Sequence, residues 1–206
     1  MTREEELEIV VKVRSGDVNA FEALVTEHEK KVYNLALRMV GNEEDARDMS
    51  QETFIKAYNS LESFRGDSKF SVWLYRLTSN LCIDFLRSRG RRQTLSLTAE
   101  DDGNDAAQLD IPDDRFSPER AFERQETRAS VKRGLDTLTP EYRQILLLRE
   151  MGGLSYEEIG KALGLEAGTV KSRIFRARKK LCAFLLEEGN IPTLTASNSW
   201  KGGAKV

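Results

Sequence analysis

The chain has 206 residues, with 32 basic and 34 acidic side chains and a formal net charge of −2. No apolar run approaches the ~18 residues that a membrane span needs, and the acidic N-terminal residues are unlike a secretory signal peptide. With two distant cysteines and one histidine, the chain offers no zinc ligands at the usual spacing, so no metal or other cofactor is expected. These features predict a reduced, helical, cytoplasmic protein.

The charges are segregated along the chain. Basic residues gather in 87–92 and 171–180, whereas acidic residues gather in 4–8, 43–48 and 100–114. Because salt screens exposed charges over about 8–10 Å, each patch acts mainly on its own surroundings. The negative total therefore does not exclude binding to nucleic acid.

Three helices are predicted before residue 60. The first covers about 4–13, the second about 18–40, and the third about 43–58, where Asn42 is the expected N-cap. His28 lies on or beside the apolar face of the second helix. Packing in the core is the favoured interpretation of this histidine, because no partner for a ligand or base is evident.

The third helix carries an acidic and amide face. Early acids stabilise a helix N-terminus, but Asp48 and Glu52 lie beyond the first turn. From the residues alone, docking on a basic partner and simple solvation are equally good explanations of this face.

Residues 61–69 are predicted to form a loop with an exposed Phe64 and Arg65. A helix then runs from Phe70 to about Arg89. Trp73 belongs to its buried stripe, with stacking on a base as the less favoured alternative, and Arg76, Asn80 and Arg87 lie off that stripe. An aromatic and basic loop that leads into a basic helix is a plausible platform for single-stranded nucleic acid, since bases can stack and phosphates can pair with cations.

Composition then divides the chain. Residues 93–116 are acidic and lack periodicity, which predicts a flexible linker. Helical signals return with a proline start at Pro118 and again at Pro140. The tail 189–206 lacks a pattern and is expected to be disordered.

The most distinctive segment is 153–181. Ser155 and Glu158 form a capping box for a short helix, and Gly164 is the expected C-terminal residue. The next helix places one apolar seam inward and has six cations on its other faces without any acid. These cations are Lys171, Arg173, Arg176, Arg178, Lys179 and Lys180. The pattern predicts a helix-turn-helix that binds DNA, although a solvated charged face is the alternative.

Three segments together resemble the extracytoplasmic-function (ECF) sigma factors of bacterial RNA polymerase. The segments are DARDMSQETFIKAY (45–58), FRGDSKFSVWLYRL (64–77) and the helix-turn-helix (153–178). The resemblance covers about residues 5–185 and implies an all-α fold with two small helical domains. On this reading, 1–92 is sigma region 2, 93–116 is the flexible acidic linker, and 117–188 is region 4.

The resemblance also implies roles for individual residues. The core polymerase would bind Asp45, Asp48, Gln51 and Glu52, chiefly through the clamp helices of its β′ subunit, with further contacts to the β subunit. The promoter −10 element would meet Phe64, Arg65, Gly66, Asp67, Ser68, Lys69, Arg76, Asn80 and Arg87. The −35 element would meet Thr169, Lys171, Ser172, Arg173, Phe175 and Arg176. An anti-sigma factor is a further expected partner.

Two other classes of protein fit the sequence less well. A stand-alone helix-turn-helix regulator would leave the loop and the acidic third helix without a role. An enzyme is not expected, because the chain lacks a GxSxG sequence, a phosphate-binding GxxxxGK[ST] sequence and a metal cluster. The favoured function is promoter-specific initiation, with melted −10 DNA trapped by the first domain.

Overall fold

The computed structural model describes residues 1–95 and 118–189, and these residues contain eight α-helices and no strand. Side chains are described for 1–91 and 125–189. The helices are α1 (Arg3–Arg14), α2 (Phe21–Val40), α3 (Glu43–Asn59), α4 (Phe70–Leu95), α5 (Pro118–Asp136), α6 (Pro140–Glu150), α7 (Tyr156–Leu163) and α8 (Ala167–Glu187). The predicted all-α class is confirmed.

Local signals set several helix ends. The Asn42 side chain accepts a hydrogen bond from the Asp45 backbone at 2.8 Å, as an N-cap should. Ser155 and Glu158 form the predicted capping box at the start of α7. Gly164 ends that helix with a φ of +67°, a conformation that side chains with a Cβ seldom adopt.

The first domain has an aromatic centre. Phe64, Phe70 and Trp73 lie with their ring centroids 5.3–5.5 Å apart, and all three side chains are buried. The prediction that Trp73 belongs to the core is confirmed, whereas the prediction of an exposed Phe64 is wrong. The apolar ring gains more from burial against two aromatic neighbours than from exposure at the loop surface.

A buried polar pair connects α1 to α2. His28 Nε2 lies 3.0 Å from Glu6 Oε1, and both side chains are buried. The other ring nitrogen, Nδ1, has no hydrogen-bond partner. Burial lowers the pKa of His28 more than the Glu6 carboxylate raises it. The predicted core position of His28 is confirmed.

The second domain brings α7 and α8 together as a helix-turn-helix. The inner seam of α8 is formed by Val170, Ile174 and Ala177, which are buried. A Cβ on Gly160 would lie 2.6 Å from the Leu165 carbonyl oxygen. The glycine therefore lets the chain after the turn pass directly over α7.

The C-terminal end of α4 differs from the sequence prediction. The helix continues to Leu95 instead of stopping near Arg89. A helical Gly90 costs only about 1 kcal/mol relative to alanine, so it weakens the helix without ending it. Most of the predicted linker, 96–116, and most of the predicted tail, 190–206, lie outside the described residues.

The two domains contact each other through α6. The buried Arg143 donates from Nη1 to the Met39 carbonyl oxygen at the end of α2, at 2.7 Å. Its Nε donates to the Leu135 carbonyl oxygen in its own domain, at 3.0 Å, and its Nη1 also lies 3.1 Å from Asp136 Oδ1. One guanidinium thus bridges the ends of α2 and α5.

The two cysteines occupy different environments. Cys82 is buried in the first domain, and burial raises the pKa of its thiol to about 12. Cys182 is exposed on α8. Within the described residues, no helix is both long enough and apolar enough to cross a membrane.

Candidate nucleic-acid and polymerase interfaces

The outer side of α8 is cationic and open. All six residues that the sequence assigned to −35 binding lie on this helix, and none is buried. Lys171, Ser172, Phe175 and Arg176 are exposed, and Thr169 and Arg173 are half-buried. Phe175 is 68% exposed, which is high for a large apolar side chain. A single helical face therefore presents cations around an aromatic ring.

Two of the six cations on α8 are bound within the domain. Arg178 pairs with Glu150 at the end of α6. Lys180 Nζ donates to the Thr137 carbonyl oxygen at 2.7 Å. The expectation that these cations have no carboxylate partner is therefore wrong for Arg178, because the fold brings Glu150 of α6 next to it. The cations nearer the N-terminus of α8 make no ion pair among the described residues.

The loop of the first domain has an inner and an outer side. Phe64 lies in the core, whereas Arg65, Asp67 and Lys69 are exposed. Gly66 and Ser68 are half-buried between them. These exposed charged side chains form what we call the outer side of the loop.

Two arginines of α1 hold the backbone of this loop. Arg14 Nη2 donates to the carbonyl oxygens of Leu61 and Phe64, at 2.6 and 2.5 Å. Arg3 Nη2 donates to the Gly66 carbonyl oxygen at 2.6 Å. Sequence reasoning missed both arginines, because no local pattern signals a bond across about 50 to 60 residues.

Two of the three predicted −10 residues on α4 contact the second domain. Arg76 is half-buried, whereas Asn80 and Arg87 are exposed. The buried Gln144 of α6 donates to Asn80 Oδ1 at 3.2 Å and to Ser79 Oγ at 3.0 Å. Arg87 pairs with Glu141 at 3.2 Å. In this arrangement α6 occupies hydrogen-bonding groups of both exposed α4 residues.

The acidic face of α3 is largely free to meet a partner. Asp48, Gln51 and Glu52 are exposed. Asp45 differs, because its carboxylate accepts a hydrogen bond from Arg89 of α4 at 2.9 Å. Sequence reasoning missed Ile55, which is one turn further along and 55% exposed. An exposed apolar residue beside charged ones is typical of the centre and rim of a protein interface.

The described residues contain no group of three or more His, Cys, Asp or Glu side chains that could hold a metal ion.

Comparison with known protein families gives two matches along the chain. Residues 24–92 match the family described as Sigma-70 region 2. Residues 128–181 match the family described as Sigma-70, region 4. The first match contains α3, the loop and the predicted α4 residues, and the second contains the helix-turn-helix.

Relatives agree with this assignment. The RNA polymerase sigma-H factor of Pseudomonas aeruginosa is 43% identical over 185 residues, which cover 88% of this chain and 94% of the relative. The ECF RNA polymerase sigma-E factor of Escherichia coli K12 is 41% identical over 177 residues, covering 84% and 90%.

Solved structures show the same fold. CnrH, in complex with the cytosolic domain of CnrY, has a TM-score of 0.62 and is 27% identical, covering 87% of this chain and 96% of that one. The sigma factor RpoE of Bartonella quintana, in complex with the anti-sigma factor NepR, has a TM-score of 0.61 and is 26% identical, covering 81% and 96%. Sigma factors are initiation factors of transcription and not enzymes. The chain belongs to the ECF group of bacterial RNA polymerase sigma factors.

Proposed function

We propose that this sigma factor docks on core RNA polymerase through α3, binds the −35 element with α8, and traps melted −10 DNA with the loop 64–69 and α4. The observation that carries the proposal is the separation of charge on its surface. The cations Lys171, Arg173 and Arg176 on α8, unpaired within the described part of the chain, suit DNA, whereas the exposed acids of α3 would repel DNA and suit a basic protein surface.

Binding of −35 DNA follows from the shape of α8. A single helix fits the major groove, where its outward side chains reach base edges and phosphates. Arg173 is half-buried and therefore has fewer orientations than a fully exposed cation. We assign base reading to Arg173 and phosphate contacts to Lys171 and Arg176. We assign Phe175 to packing against the methyl group of a thymine.

Binding of −10 DNA is assigned to the outer side of the loop. Arg65 and Lys69 supply the cations for the backbone, and the half-buried Gly66 and Ser68 between them provide close backbone approach and a hydroxyl. The burial of Phe64 assigns it to support of the loop and not to stacking on a base. Arg76, Asn80 and Arg87 continue this surface along upstream duplex.

Core binding is assigned to Asp48, Gln51 and Glu52, with the β′ clamp helices as the basic partner and additional contacts to the β subunit. Ile55 supplies the apolar centre of that interface. Asp45 acts by holding Arg89 within the first domain. The anti-sigma complexes of the structural relatives support an anti-sigma factor as a second partner of this chain.

Access to α4 requires the domains to separate. Gln144 occupies the amide oxygen of Asn80, and Glu141 pairs with Arg87. The contacts from α6 compete with DNA for these two groups, and we therefore assign the arrangement described here to the DNA-free protein. Loss of the Gln144 hydrogen bonds should cost the closed form about 0.5–1.5 kcal/mol for each bond.

Energy transfer between dyes on Cys182 and an added Glu8→Cys tests this separation. Gln144→Ala should lower the transfer and strengthen binding of single-stranded −10 DNA about fivefold, which corresponds to about 1 kcal/mol. Glu157→Ala, an exposed substitution on α7, is the matched control. Unchanged transfer in the Gln144 variant would refute a closed form held by these bonds.

The proposed function itself is tested with purified core RNA polymerase. The full chain should bind core in a pull-down and direct run-off transcription from a promoter library, which also yields the −35 and −10 sequences. Tight duplex binding with no core association would instead indicate a stand-alone regulator.

A further inference from the structure

The N-terminal helix α1 lies before the residues that match sigma region 2, yet it makes the longest-range hydrogen bonds to the loop 64–69. We propose that α1 is the support of this loop, and that Arg14 and Arg3 are positioning residues for capture of melted −10 DNA. This inference rests on the proposed function of the loop.

Arg14 fixes the entrance to the loop. One of its nitrogens, Nη2, donates to the carbonyl oxygens of Leu61 and Phe64 together, and lies 3.4 Å from that of Glu62. These carbonyls belong to the short 3-10 turn between α3 and the loop and to the residue that follows it. Hydrogen bonds from a charged donor are about twice as strong as neutral ones. The guanidinium therefore joins the two ends of this turn.

Arg3, at the opposite end of α1 from Arg14, fixes the middle of the loop. Its Nη2 donates to the Gly66 carbonyl oxygen at 2.6 Å. Gly66 has a φ of +75°, and a Cβ placed there would lie 3.3 Å from Leu7 Cδ2 of α1. The loop backbone thus contacts α1 through a hydrogen bond and through apolar packing.

The support is itself anchored. Val10 and Val13 of α1 are buried in the core, and Glu6 bonds to His28 of α2. On the other side of the loop, Phe64 packs between Phe70 and Trp73. Arg14 and Arg3 hence tie the loop to a rigid element instead of to another flexible segment.

The arrangement prepares the loop for its ligand. Arg65 and Lys69 extend from a backbone that is held at residues 61, 64 and 66. A loop that is already in its bound conformation avoids the entropy loss of ordering at the moment of binding. Neither arginine needs to touch DNA to have this effect.

The test uses the full chain assembled with core polymerase and a fluorescent single-stranded oligonucleotide that carries the −10 sequence from the promoter library. Arg14→Ala should weaken oligonucleotide binding about tenfold and leave core affinity within about twofold. Arg14→Lys should give an intermediate value, because one ammonium retains charge and donors but loses the planar fork. Lys12→Ala, an exposed cation on the same helix, is the control and should bind like the wild type.

The outcomes separate the two proposals. Normal oligonucleotide binding by Arg14→Ala, with a loss in the Arg65→Ala, Lys69→Ala double variant, would overturn the role of α1 and keep the function of the loop. No loss in the double variant would overturn the loop function itself. An equal loss of core affinity and oligonucleotide binding in Arg14→Ala would overturn positioning in favour of general stabilisation, and a matching fall in thermal midpoint would identify that case.

Discussion

The second domain presents its proposed DNA contacts on one regular helix, α8, whereas the first domain presents them on a loop that other elements hold in place. The α8 side chains need only helical geometry and one buried seam to share a face. The loop depends on Phe64 in the core and on hydrogen bonds from α1. A helix can therefore be identified as a binding surface from residue spacing, but a loop requires knowledge of its distant contacts.

The largest effect is expected from replacing two phenylalanines by alanine, the buried Phe64 beneath the loop and the exposed Phe175 on α8. Phe64→Ala should lower the free energy of unfolding by about 3–5 kcal/mol, because a buried ring leaves a cavity. Phe175→Ala should change it by less than about 0.5 kcal/mol, since that ring is exposed. Chemical denaturation measures both. Similar losses in the two variants would contradict the contrast between the surfaces.

A smaller effect is expected within α8. Arg173→Ala should weaken −35 duplex binding by about 1–3 kcal/mol if this guanidinium reads a base edge. Arg178→Ala should cost less than about 1 kcal/mol, because Arg178 already pairs with Glu150. Fluorescence anisotropy with the selected −35 duplex gives both affinities, and a larger loss for Arg178→Ala than for Arg173→Ala would contradict the assignment of base reading to Arg173.

Of the three proposed binding surfaces, only α3 should contribute to the affinity for core RNA polymerase. Asp48→Arg should weaken the complex with core polymerase by about 1–2 kcal/mol, since it reverses a charge at the rim of the proposed interface. Binding of an isolated −35 duplex should not change. Competition against labelled wild type measures the first quantity. If the variant loses both activities equally, the assignment of one surface to each partner is wrong.

The smallest effect expected is a loss of stability at acidic pH. It should be confined to the first domain, which contains the only histidine of the chain. The pKa of His28 is lowered from 6.5 by burial. The unfolded chain therefore takes up this proton at a higher pH than the folded chain, so the free energy of unfolding should fall as pH drops below about 6.5. Denaturation of His28→Gln should lack this component, and an identical slope in both proteins would refute the assignment.

The sequence predicts well what depends on neighbouring residues. The capping box at Ser155 and the buried seam of α8 follow from spacing alone, and both are present in the structure. It predicts poorly what depends on distant partners. Phe64 looks exposed beside charged residues until Phe70 and Trp73 fold over it, and Arg14 resembles an ordinary surface cation. The pairing of Arg178 with Glu150 could not be predicted for the same reason, because the two residues are 28 positions apart and lie on different helices.

The different exposure of the two cysteines allows transient opening of the first domain to be measured by alkylation. A thiol reacts as the thiolate, and Cys82 combines burial with a pKa of about 12. A maleimide should consequently label the exposed Cys182 in a fast phase. It should react with Cys82 only when the first domain transiently exposes its interior. The second, slow phase of alkylation then counts these excursions in the native protein, without denaturant and without any substitution.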